Sequence, residues 1–142
     1  MMLVRTYVAP STIEGLGIYA DEFIPSGTLI WEFNPKFLAT FSQSDIDDLP
    51  PHTREFVEKY SFPHLLEADQ LVVELDNGRF MNHTDKPNTD FTEFRKGYAI
   101  RDIREGEEIT CNYHEFDPTF VGGFANYRQK PQNGYRPGPG QS

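Results

Sequence analysis

Turn formers cut this chain into short lengths, and that constrains its fold more than any other feature. Pro10-Ser11, Glu14-Gly15-Leu16-Gly17, Ile24-Pro25-Ser26-Gly27, Asn34-Pro35 and Asp76-Asn77-Gly78 are all turn signals. The runs between them are rich in β-branched and aromatic residues and read as short strands: Leu3 to Ala9, Ile18 to Ala20, Thr28 to Phe33, Phe37 to Phe41 and Leu71 to Leu75. Phe91 to Phe94 and Gly97 to Ile100 read as a hairpin, and Ile109 to Tyr113 as the last strand. Only His52 to Tyr60 has a helical period, with Phe56, Val57 and Tyr60 spaced for one buried face. Ser42 to Leu49 before it is acidic and carries Ser and Asp cap candidates. Many short strands with one helical insert describe a mostly-β domain, and 142 residues have room for one such core.

Charge and composition narrow the function. The net charge is −9, which argues against direct nucleic-acid binding and suits either a basic partner such as a lysine-rich peptide or solubility alone. Through Asp117 the chain carries −12; beyond it, Arg128, Lys130 and Arg136 meet no acid and give +3. From Pro118 the chain turns rich in Gly, Pro, Asn and Gln, and disorder is predicted for Pro131 to Ser142. No apolar run approaches the roughly 18 residues of a membrane span. The N-terminus lacks a signal-peptide pattern, so an intracellular, cytoplasmic location is expected.

Candidate chemistry sits in three segments. Gly15-Leu16-Gly17 would let backbone N–H groups approach a ligand, but alone it reads better as a tight turn. Asn82-His83, between Phe80-Met81 and Pro87-Asn88, is a polar pair in an apolar setting; alone it also reads as a turn. Gly106 to Tyr113 is a glycine turn feeding a strand, whose tyrosine by itself reads as core. His52, His64, His83 and His114 show no metal-ligand spacing, and a single cysteine builds no thiolate zinc site. No serine occupies a nucleophile elbow. In an alternating strand Cys111 shares a face with Tyr113 and not with His114, which favours a core or pocket-wall thiol over a nucleophile.

Together the three segments resemble a SET domain, the family of protein-lysine methyltransferases that use S-adenosylmethionine. The family's pattern is a Gly-x-Gly turn, then Arg-Phe-x-Asn-His-x-x-x-Pro-Asn, then Gly-Glu-Glu-Leu-Thr-x-x-Tyr. Here it reads Gly15-Leu16-Gly17, Arg79 to Asn88, and Gly106 to Tyr113. The resemblance covers about residues 3 to 117 and implies a minimal SET domain like small bacterial and viral members. The implied fold is of the β-clip type: small curved β-sheets, a helical insert at about 43–69, and a C-terminal pseudoknot that passes Tyr113 beneath Asn82-His83. Residues 118–142 would form an aromatic, then Gly/Pro-rich tail.

The resemblance also implies roles. Gly15, Leu16, Gly17 and Ile18, with Asn82 and His83, would bind S-adenosylmethionine, and Tyr113 would be the catalytic tyrosine. Phe91, Cys111, Phe116, Phe120 and Phe124 are the expected channel walls for a lysine from a basic protein or peptide. Many members close this channel with a cysteine-rich zinc cluster. One cysteine cannot build it, so the closing element is expected to be apolar. Some minimal members pair, which leaves room for a homodimer. The competing expectation is a catalytically silent SET-like binding module. Lys130 is a candidate for self-methylation.

Overall fold

The computed structural model describes residues 1–117. The strands are β1 (Thr6–Pro10), β2 (Leu16–Ala20), β3 (Leu29–Glu32), β4 (Leu38–Ser42), β5 (Phe62–Pro63), β6 (Gln70–Glu74), β7 (Asn82–His83), β8 (Thr89–Asp90), β9 (Lys96–Ala99) and β10 (Glu108–Cys111). Two helices, α1 (Gln43–Asp47) and α2 (Pro51–Tyr60), lie between β4 and β5.

Three small sheets result, ordered β1-β2-β10-β7, β3-β9-β8 and β4-β6-β5. Their cores follow from burial of the strand positions. Ile18, Ile24, Ile30, Ile103 and Ile109 are almost fully buried and join Trp31, Phe91, Cys111 and Tyr113 in one cluster. A satellite cluster of Ile46, Val57 and Val73 seats both helices against the third sheet. Ser42 caps α1 through a capping box with Asp45, which satisfies otherwise orphaned N–H groups. Pro51 opens α2, where a missing N–H costs nothing.

The threading lies in the first sheet. β10 pairs antiparallel with β2 and parallel with β7, matching Thr110 to Asn82 and Cys111 to His83. Asn88 completes the arrangement as a side-chain stitch. Its Nδ2 donates to the Glu108 carbonyl at 2.8 Å, and its Oδ1 accepts the Thr110 N–H at 2.9 Å. An amide side chain thus satisfies strand groups that a backbone would otherwise pair.

Two local expectations are corrected. The hairpin does not use Phe91 to Phe94; β9 pairs instead with Thr89–Asp90 and with β3. Asp90 Oδ1 accepts both the N–H and the hydroxyl of Thr92, at 2.7 and 2.6 Å, which bends the chain out of the ladder. The last strand ends at Cys111, and Tyr113 opens a 3₁₀ turn over Tyr113–Glu115. Asn112 drives that turn, because its side chain accepts the His114 N–H at 3.0 Å. The expected tail features, including Phe120, Phe124 and Lys130, lie outside the described residues.

Candidate active site

Two cavities meet where the glycine turn, the end of α2 and the threaded strand converge. The larger, about 60 Å³, is walled by Trp31, Phe62, Phe91, Cys111, Tyr113 and Phe116. The smaller, about 10 Å³, lies against Gly15, Leu16, Phe80 and Asn82. Lys59, Tyr60 and Arg79 line both.

The larger cavity is an aromatic sleeve. Phe91 packs against Trp31 at 5.3 Å between ring centroids and against Phe116 at 5.6 Å; Tyr113 meets Phe116 at 5.8 Å. Such edge-to-face and tilted pairs hold ring positions beyond what burial alone would. Phe91 sits directly over Gly97: a Cβ there would come within 2.5 Å of the Phe91 ring. The Trp31 indole N–H is shared by both Glu74 carboxylate oxygens at 2.9 Å. Burial pushes the Glu74 carboxyl above its ordinary range, and the Met1 ammonium at 2.8 Å opposes that shift.

Tyr113 is held at three points. Its hydroxyl donates to the Met81 carbonyl at 2.8 Å. Its backbone N–H donates to His83 Nδ1 at 3.0 Å, and the two rings lie 5.2 Å apart. With Nδ1 accepting, the ring proton sits on Nε2, facing Asp85 Oδ1 at 3.2 Å. Burial holds the His83 pKa below its ordinary value of 6.5, partly offset by Asp85.

Asn82 ties the glycine turn to β10. Its Nδ2 lies 3.2, 3.1 and 3.0 Å from the Glu14 carbonyl, the Leu16 carbonyl and Glu108 Oε2. Ser11 Oγ donates to the same Glu108 carboxylate at 2.9 Å. Gly17 packs so closely on that carboxylate that any Cβ would overlap Glu108 Oε2.

The expected site residues therefore divide. Phe91, Cys111, Phe116 and Tyr113 meet at the aromatic cavity, while Gly15, Leu16 and Asn82 border the smaller one. Ile18 is instead fully buried in the core, paired between Val8 and Ile109. The His83 imidazole bonds Tyr113 and Asp85 and lines neither cavity. Trp31, Lys59, Tyr60 and Arg79 are additions. Trp31 is the chain's single tryptophan and Arg79 opens the Arg-Phe-x-Asn-His segment; both were visible signals. Lys59 and Tyr60 carried none, since the end of an amphipathic helix reads as core.

The profile of the SET domain matches residues 15–114. This chain belongs to the SET-domain family. The SET domain here is 29% identical over 112 residues to a Cryptococcus neoformans histone-lysine N-methyltransferase described as H3 lysine-36 specific; the match covers 71% of this chain and 13% of that protein. It is 30% identical over 123 residues to the Drosophila melanogaster histone-lysine N-methyltransferase trr, covering 80% of this chain and 5% of that protein. The chain thus spans a small part of the relatives it matches. Its fold is also similar to the Chaetomium thermophilum Polycomb Repressive Complex 2 bound to GSK126, with a TM-score of 0.59 and 26% identity over 82% of this chain and 16% of that one.

Proposed function

We propose that this SET domain, spanning residues 1–117 with its helical insert at about 43–69, transfers a methyl group from S-adenosylmethionine to a lysine side chain in a basic protein segment. One observation carries the reading: the Tyr113 hydroxyl stands in an aromatic sleeve that meets a glycine-walled cavity across Lys59, Tyr60 and Arg79.

The residues present fit the cofactor. Arg79 Nε is buried with no hydrogen-bond partner among the described residues, while its Nη1 bonds the Leu75 and Asp76 carbonyls. A guanidinium whose Nε–H is buried and unused suits a carboxylate, and Lys59 adds a second cation on the same walls. Gly15, Leu16 and Asn82 would border the rest of the molecule. When bound, S-adenosylmethionine supplies an electrophilic methyl carbon on a sulfonium.

The chain supplies alignment and a dry path. A free lysine amine has a pKa of about 10.4 and is protonated at neutral pH. Rings of Trp31, Phe91 and Phe116 exclude water and disfavour the ammonium, so the proton leaves to solvent as the amine enters. The Tyr113 hydroxyl already donates to Met81, so its lone pairs face the incoming N–H and orient the nitrogen. No general base is needed.

The test is transfer from labelled S-adenosylmethionine to a panel of basic proteins. Transfer by the wild type and its loss in Tyr113→Phe supports the reading. Cofactor binding without transfer to any protein would instead favour a silent binding module.

A further inference from the structure

A third, open cavity of about 300 Å³ adjoins the aromatic sleeve and shares Trp31, Leu65, Phe91 and Phe116 with it. The same rings form one wall of both spaces. Its far side is the β8–β9 connection, which presents Phe94 at 63% exposure, and the 3₁₀ turn carrying Glu115.

Charges in this groove are unevenly matched. Lys96 pairs with Glu93 at 3.6 Å, and the Arg95 guanidinium lies over the Phe33 ring at 5.7 Å. Glu115 pairs with no lysine or arginine among the described residues. Its Oε1 accepts the Phe91 N–H at 3.1 Å, so the carboxylate sits on the backbone of a sleeve-wall residue. Burial pushes the Glu115 carboxyl up and nearby Asp90 adds to the shift, the condition in which a carboxylate gains most from an incoming cation.

We infer that this groove receives the substrate segment, with a second basic side chain within two residues of the target lysine meeting Glu115 and an apolar side chain resting on Phe94. The nearness of the two positions follows from the shared wall. Glu115 holds the backbone of a residue whose ring lines the sleeve, and an extended chain advances about 3.3–3.6 Å per residue. The inference rests on the methyltransferase reading for the identity of the occupant.

The experiment uses two labelled peptides with one central lysine, one carrying arginine two residues away and one carrying alanine there. Binding by fluorescence anisotropy and methyl transfer are both measured for the full chain. The wild type should bind the arginine peptide up to about fivefold tighter, as one partly exposed ion pair allows. Glu115→Gln keeps an oxygen for the Phe91 N–H and removes the charge, so it should close the gap without weakening the alanine peptide. Equal binding of both peptides by the wild type, or an unchanged gap in Glu115→Gln, overturns the groove assignment. A gap that closes while neither peptide is methylated supports the groove and sinks the methyltransferase reading. Equal binding with transfer to both peptides does the reverse.

Discussion

His83 Nδ1 accepts the backbone N–H of Tyr113 at 3.0 Å, so the imidazole sets where the tyrosine stands. The bond crosses the two threaded segments and exists only while that nitrogen is unprotonated. Acid should therefore loosen this site. The folded His83 pKa lies below 6.5, so the unfolded chain takes up the proton more readily. Stability from this group is complete above the unfolded value and is lost as pH falls below about 6.5 toward the folded value. Thermal melts from pH 8 to 5 should show a declining Tm that flattens in His83→Asn; an unchanged slope in that variant would remove His83 as the cause.

Tyr113→Phe removes the hydroxyl from the sleeve and leaves the ring in place. Methyl transfer should fall by about a hundredfold or more, the scale for one positioned donor or acceptor. The lost bond to the Met81 carbonyl should cost about 1 kcal/mol of stability. Calorimetric cofactor affinity within a factor of a few of wild type would separate the chemical role from unfolding.

Gly97→Ala should damage the sleeve from behind. The new Cβ meets the Phe91 ring at 2.5 Å and must push it toward Trp31 and Phe116. An overpacking cost of about 1–3 kcal/mol is expected in urea melts. Adding Phe91→Leu should recover most of it, and no recovery would mean that the strain lies elsewhere.

Gly17→Ala should loosen the smaller cavity. Its Cβ overlaps Glu108 Oε2, the oxygen that Asn82 and Ser11 share. Displacing that carboxylate breaks the tie between the glycine turn and β10. The expected loss is about 1–3 kcal/mol together with weaker cofactor binding. Wild-type stability and affinity would show that the carboxylate yields freely.

Arg79→Met removes the guanidinium whose Nε is buried and unused. Cofactor affinity should drop about tenfold or more, the worth of one charge-assisted bond, and Arg79→Lys should lose less. Unchanged affinity in Arg79→Met would place the cofactor's carboxylate elsewhere.

Much of this protein is local and therefore readable in one dimension. Turn residues at Pro10-Ser11, Gly27 and Gly106 mark chain reversals; Gly27 and Gly106 adopt φ near +88° and +87°, where a side chain is strained. Short stretches of β-branched and aromatic residues mark β2, β3, β6 and β10, and the Arg-Phe-x-Asn-His and Gly-Glu-Glu strings mark the family. Cys111 and Tyr113 lie within the segment Gly106 to Tyr113, and Phe91 and Phe116 follow the two segments, which end at Asn88 and Tyr113, by three residues each.

The tertiary structure decided what each polar side chain is for. Asn82, His83 and Asn88 each read in sequence as part of a turn, the first two also as cofactor-binders by resemblance. Parallel pairing of β7 with β10 makes Asn82 a tie to Glu108, His83 a prop for Tyr113, and Asn88 a stitch along β10. It also brings Trp31, Tyr60 and Arg79, from three separate elements, onto shared cavity walls. A strand's hydrophobic pattern is set by neighbours two residues away, but a hydrogen-bond partner can be any group the fold brings within about 3 Å. The composition of the sheets was therefore determined by sequence, and the duties of the site's polar groups by the threading that brought those sheets together.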